Sequence, residues 1–200
     1  NQGNGVVIKG GASDNTVGGN TSPYRNVISG NSGSGIVLDG SGTNINEILG
    51  NYIGTSFNGT SAIANGNHGI YIIDANNNTI GEIAVGSGNR IANNTGSGIA
   101  ISGATTAKDN TIIRNEIYSN GGLGIDLAVD GVTLNDENDS DGGENNKLNF
   151  PEITDTYQDG ADLDIYFDLD VPVEKYLIEF FDNPNGVDGT NYGEGEVFLS

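Results

Sequence analysis

Apolar residues recur along this chain in short alternating runs, and the same polar landmarks precede them each time. An Asn-x-x-x-Gly step (Asn1/Gly5, Asn31/Gly35, Asn65/Gly69, Asn94/Gly98, Asn120/Gly124) opens Val6-Val7-Ile8, Ile36-Val37-Leu38, Ile70-Tyr71-Ile72, Ile99-Ala100-Ile101 and Ile125-Asp126-Leu127. Two Asn-x-[Val/Ile] steps separate consecutive copies. One begins at Asn15, Asn46, Asn78 and Asn110, the other at Asn26, Asn51, Asn89 and Asn115. Each repeat thus predicts three short strands divided by Gly/Asn/Ser turns. From Gly5 through Gly124 the landmark glycines are spaced 30, 34, 29 and 26 residues apart. A strand-bearing repeat of this length, without a helical period, predicts a parallel β-solenoid.

Alternate residues of a strand face opposite sides. With the residue after each landmark Gly pointing inward, the strands predict four stacked core columns. These are Val6/Ile36/Ile70/Ile99/Ile125, Ile8/Leu38/Ile72/Ile101/Leu127, Val17/Ile48/Ile80/Ile112 and Ile28/Ile53/Ile91/Ile117. The Asn-x-[Val/Ile] steps predict two columns of stacked Asn, whose amides can satisfy turn backbone and one another. The expectation is an all-β chain: a right-handed parallel β-helix with three strands per coil and about five coils, followed by a short antiparallel β segment. Residues 1–129 form the helix, 130–151 an acidic closing loop, and 152–200 a β cap or partial module. Within that last part, 162–170, 175–183 and 195–199 read as strands. The first strand is already a repeat, so its open edge is expected to be covered or to self-associate.

Composition sharpens this. Gly makes up 33 of 200 residues, most of it in turns, and hydrophobic residues are only 34%. A thin coil tolerates that content. Cysteine is absent, which excludes disulfides and thiolate metal sites. No apolar stretch reaches the length of a membrane span. Net charge is −20, which argues against nucleic acid as a partner. The charge is uneven: residues 1–120 hold 7 acids and 5 bases, while residues 121–200 hold 20 acids and 2 bases.

The segments GIVLDG, NTIG, RNVISGN and GNYIGTSFNGTSAIANGNHGIYI resemble the right-handed parallel β-helix repeats of large secreted bacterial surface proteins, similar in fold to pectate-lyase-like proteins. GIDLAVDGVTLNDENDSDGGENNKLNFPEI resembles the segment that closes such helices. KYLIEFFDNPNGVDGTNYGEGEVFLS resembles the opening of an immunoglobulin-like module. The resemblance implies an extracellular or cell-surface location and, as partners, polysaccharide or surface glycan together with further repeats or modules of the same chain.

Candidate chemistry is sparse. Glycoside hydrolysis needs two carboxylates flanking one bond, and on the solenoid Asp39 and Asp74, on neighbouring coils, are the catalytic candidates. Against them, Lys9 offers Asp39 a salt bridge and Asp74 suits its turn for structural reasons. His68 is the lone histidine and reads as a turn residue. Arg90, Glu116 and Tyr52 read as a solvated ladder on one face. In the closing loop, the Asp/Asn oxygens of Asp136, Asn138, Asp139, Asp141 and Glu144, together with Gly142-Gly143, suit Ca2+, with Asp136, Asp139, Asp141 and Glu144 as ligands. The competing reading is a solvated acidic loop. The leading functional expectation is a non-enzymatic stalk or carbohydrate-contacting adhesin segment; the alternative is a polysaccharide-active lyase, hydrolase or epimerase. Long loops at Asn20–Arg25, Thr55–Ala64 and Glu82–Gly88 are where a solenoid carries specificity.

Overall fold

The computed structural model describes residues 2–103, 106–186, 192 and 194–199. Asn1 of the first landmark and part of the segment read as a module opening (187–191, 193 and 200) lie outside the described residues.

Coil one contains β1 (Val6–Lys9), β2 (Thr16–Gly18) and β3 (Val27–Ile28). Coil two contains β4 (Ile36–Asp39), β5 (Glu47–Leu49) and β6 (Tyr52–Ile53). Coil three contains β7 (Ile70–Ile73), β8 (Thr79–Ile80) and β9 (Arg90–Ala92). Coil four contains β10 (Ile99–Ser102), β11 (Thr111–Ile112) and β12 (Glu116–Tyr118), and β13 (Ile125–Leu127) follows. They assemble into three parallel sheets in the order β1-β4-β7-β10-β13, β2-β5-β8-β11 and β3-β6-β9-β12. The solenoid therefore has about four coils and not five, because the chain leaves the pattern after one strand of the fifth.

Register follows the landmarks. Val6 pairs with Ile36, Ile36 with Ile70, Ile70 with Ile99 and Ile99 with Ile125. Like side chains thus stack every coil, and Ile36, Ile48, Ile53, Ile70, Ile80, Ile91 and Ile99 are fully buried. The columns loosen at the ends: Ile125 has no coil beneath it and is 43% exposed. Ala75 and Ala107, at the corner before the second sheet, complete the core. Val37 and Ala100 face outward in the alternation yet are buried. Both are register neighbours of Tyr71.

The landmark glycine has a steric cause. A Cβ on Gly5 would stand 2.6 Å from the Gly35 carbonyl oxygen, and one on Gly35 would stand 2.6 Å from that of Gly69. Coils meet there backbone to backbone, which only Gly permits.

Three Asn ladders run along the coils, one more than the two expected. In the first, the backbone and side-chain amides of Asn15 donate to Asn46 Oδ1, those of Asn46 to Asn78 and those of Asn78 to Asn110. The second runs Asn26, Asn51, Asn89, Asn115. The third joins the landmark residues Asn31, Asn65, Asn94 and Asn120. Each ladder satisfies corner backbone that would otherwise be buried unpaired.

After β13 comes a closing loop with two short 3-10 turns, then β14 (Glu152–Asp159) antiparallel to β15 (Asp162–Asp168), and β16 (Phe181–Asp182) antiparallel to β17 (Val197–Phe198). The sequence reading missed β14, and the strand read at 175–183 reduces to two residues. Leu163, Ile165 and Phe167 alternate with Asp164, Tyr166 and Asp168 in β15, as a half-covered strand would, but Leu163 and Phe167 stay exposed. No third strand joins this hairpin among the described residues.

Candidate functional site

Asp39 and Asp74 lie on neighbouring coils, as expected from the register of β4 with β7. Asp39 ends β4, and its register neighbours are Lys9 and Ile73. Asp74 is one residue further on, at a positive φ of 53° in the turn, where its Oδ1 accepts the Thr106 hydroxyl at 2.6 Å. Among the described residues no hydrogen bond links Asp39 to Asp74. The salt bridge expected between Lys9 and Asp39 is also absent there: the one ion pair formed is Arg90 with Glu116.

The closing loop uses its acids as acceptors. Asp136 takes the Ser140 hydroxyl at 2.6 Å and the backbone N–H groups of Ser140 and Asp141. The Ser140 hydroxyl, with those amides, holds Asp136 below its usual carboxylate range despite the opposing pull of desolvation. Asp139 Oδ1 accepts the Asn149 N–H at 2.7 Å. Buried Glu144 turns toward the solenoid and accepts the Gly103 N–H at 3.2 Å. Among the described residues no three acids or histidines converge on one point. Buried Asn149 ties the loop together, donating to the carbonyls of Asp136 and Asp170; nothing periodic marks it in the sequence.

The same segment caps the lower end of the solenoid. Asn145 extends the first Asn ladder by one member: its Oδ1 accepts the Asn110 N–H at 2.9 Å, and its own N–H donates to the Ala107 carbonyl. Along the edge of β12, Glu179 accepts the Arg114 N–H and Glu194 the Ser119 N–H. Ile117 N–H donates to the Gly195 carbonyl at 2.7 Å. A cavity of about 780 Å3 remains between cap and last coil, lined by Ile112, Ile117, Leu127, Leu148, Phe150 and Phe181 among others. It is the open end of the core columns.

His68 is more than a turn residue. It is buried, and its Nδ1 accepts the Ser97 N–H of the next coil at 3.1 Å. The Ser97 hydroxyl donates to buried Asp126 at 3.2 Å. Burial pushes the imidazole below its ordinary value, against an opposing pull from Asp126. His68 and Asp126 are 58 residues apart in sequence; the only signal was that both sit on or beside the outer face of the first sheet.

The richest surface lies on the third sheet. Arg25 stacks on Tyr52 with its guanidinium carbon 4.1 Å from the ring centre, and Arg90 covers the same ring at 5.2 Å. Arg90 then pairs with Glu116 at 2.6 Å. This row is the expected ladder, extended by Arg25. The Thr55–Ala64 loop folds over it, with the Gly59 carbonyl accepting from Arg90. The loops at 20–25 and 82–88 meet at the neighbouring corner, where a Cβ on Gly86 would touch the Asn20 carbonyl oxygen at 2.5 Å. These loops present Tyr24, Phe57, Ile83 and Val85 to solvent, at 66%, 81%, 60% and 91% exposure.

The chain matches no protein-family model, no curated protein and no solved structure. Among the described residues no helix is long and apolar enough to cross a membrane.

Proposed function

We propose that this chain is a rigid, non-enzymatic recognition segment of a secreted or cell-surface protein, and that it contacts polysaccharide along the third-sheet face. The observation that carries this reading is the row Arg25–Tyr52–Arg90–Glu116, fixed by stacking and ion pairing and framed by loops that expose Tyr24 and Phe57. Flat aromatic rings beside pre-ordered polar groups suit a sugar, which offers C–H faces and hydroxyl edges together. The solenoid supplies rigidity, since each coil is pinned to the next by three sheets and three Asn ladders. Secretion and the likeness to pectate-lyase-like helices rest on the repeat resemblance. A hydrolytic reading needs two carboxylates across one sugar; in this row the carboxylate is Glu116, and Arg90 neutralises it.

A glycan array with the purified chain tests the proposal. Binding to one glycan class is expected, with Tyr24→Ala and Phe57→Ala each weakening it about tenfold, roughly 1.4 kcal/mol, at unchanged thermal stability. Binding that both variants leave intact, or no binding to any glycan, overturns it. Release of reducing ends or unsaturated products from a polysaccharide would favour the enzyme instead.

A further inference from the structure

We propose that His68, Ser97 and Asp126 form a proton-operated latch that holds the turn at Gly131, just after the last strand of the solenoid, at neutral pH and releases it on acidification. The contacts run in one line across coils: His68 Nδ1 accepts the Ser97 N–H, the Ser97 hydroxyl donates to Asp126 Oδ2, and Asp126 Oδ1 accepts the Gly131 N–H at 3.3 Å. Gly131 lies in the segment that leads into the cap. Two coils earlier the same job is done without a titratable group, where Asn4 Oδ1 accepts the Ser34 N–H at 2.8 Å. Histidine at position 68 therefore adds a dependence on protons that the fold does not require.

Protonation turns Nδ1 from acceptor to donor, so it then faces the Ser97 N–H with like polarity. The groups around His68 determine where the new cation turns. Tyr71 of its own coil packs against it with ring centres 5.0 Å apart, and Ser97 and Gly96 of the next coil are uncharged. Asp126 is the carboxylate whose charge acts on His68. An imidazolium attracts that carboxylate and draws it away from Gly131. Burial disfavours the charged ring, so the folded pKa lies below 6.5. The stabilisation from neutral His68 is thus complete above about pH 6.5, the unfolded value, and is lost as pH falls through the folded value.

His68 is the only histidine, so its imidazole signal in an NMR titration is unambiguous. Amide exchange should be followed on the whole chain from pH 7.5 to 5.0, corrected for intrinsic rates. The imidazole is expected to titrate below 6.5, with protection at Ser97 and Gly131 falling together, by up to about tenfold per pH unit between pH 6.5 and the titration point. His68→Asn, which restores the arrangement seen at Asn4, should hold both amides protected across the range. His68→Gln provides the same check if the Asn variant folds poorly. Unchanged protection in the natural chain, or equal loss in the non-titrating variants, overturns the latch.

Discussion

Asparagine at a solenoid corner works because its side chain both donates and accepts. Asn51 accepts from Asn26 and donates to Asn89 and to the Val17 carbonyl, while fully buried. Truncating it leaves several buried groups unpaired, each costing about 1–3 kcal/mol. Asn51→Ala should therefore destabilise by about 3 kcal/mol or more in urea denaturation. Asn15 heads its ladder and is exposed, so Asn15→Ala should cost about 1 kcal/mol. Equal costs would show that the ladder does not act through buried pairing. Ile99, fully buried between Ile70 and Ile125, should lose about 2–5 kcal/mol on replacement by Ala. Val85→Ala, on an exposed loop, should stay within about 0.5 kcal/mol.

No strand of the solenoid exceeds four residues among the described elements, and strands that short have no stability of their own. Their existence depends on the coil above and the coil below, so what holds coils at sheet spacing decides whether the element forms. The landmark glycine is that part. Gly35→Ala would place a methyl 2.6 Å from the Gly69 carbonyl oxygen and 2.7 Å from a methyl of Ile53. The coils must separate or tilt, a strain of about 1–3 kcal/mol on the overpacking scale. A Cβ on Gly142, in the closing loop, meets nothing within 4 Å, so Gly142→Ala should be neutral or slightly stabilising. Thermal melts of the two variants test this contrast.

Across the whole molecule the Asn ladders have a direction. In each, amide N–H groups of one coil donate to the side-chain oxygen of the next, so the lower end finishes on donors. Asn145 meets the first ladder beneath Asn110, and beside the ends of the other two Glu179 accepts the Arg114 N–H and Glu194 the Ser119 N–H. Part of the acidity of the C-terminal half thus has a structural use. Glu179→Ala should raise exchange at the Arg114 amide without disturbing the coils above it. Loss of protection throughout the solenoid would contradict a local cap. Calcium on the closing loop is tested separately: if the loop binds Ca2+, the ion stabilises by mass action and EDTA lowers the melting temperature. Asp139→Ala with Asp141→Ala should abolish that sensitivity. Superimposable melts in EDTA and in millimolar Ca2+ would leave hydrogen bonding by Asp136 and Asn149 as what orders the loop.

The repeating part of this molecule was determined by its sequence alone. Coil period and strand alternation place chemically like residues next to one another, so the core columns, the register and two Asn ladders could be read by aligning landmarks. The third ladder was visible as well, in Asn31, Asn65, Asn94 and Asn120, whose stacking follows from the same spacing. The end of the pattern was less legible: the fifth coil reduces to one strand because the acidic segment after Leu127 offers no second apolar step. Tertiary structure decided whatever lacks a period. Asn145 joins a ladder from outside the repeat, Glu179 and Glu194 reach back to an edge more than 60 residues earlier, and His68 meets Asp126 through a serine on the coil between them. No spacing rule marks such partners, because each contact depends on where a non-repeating segment folds back onto the stack.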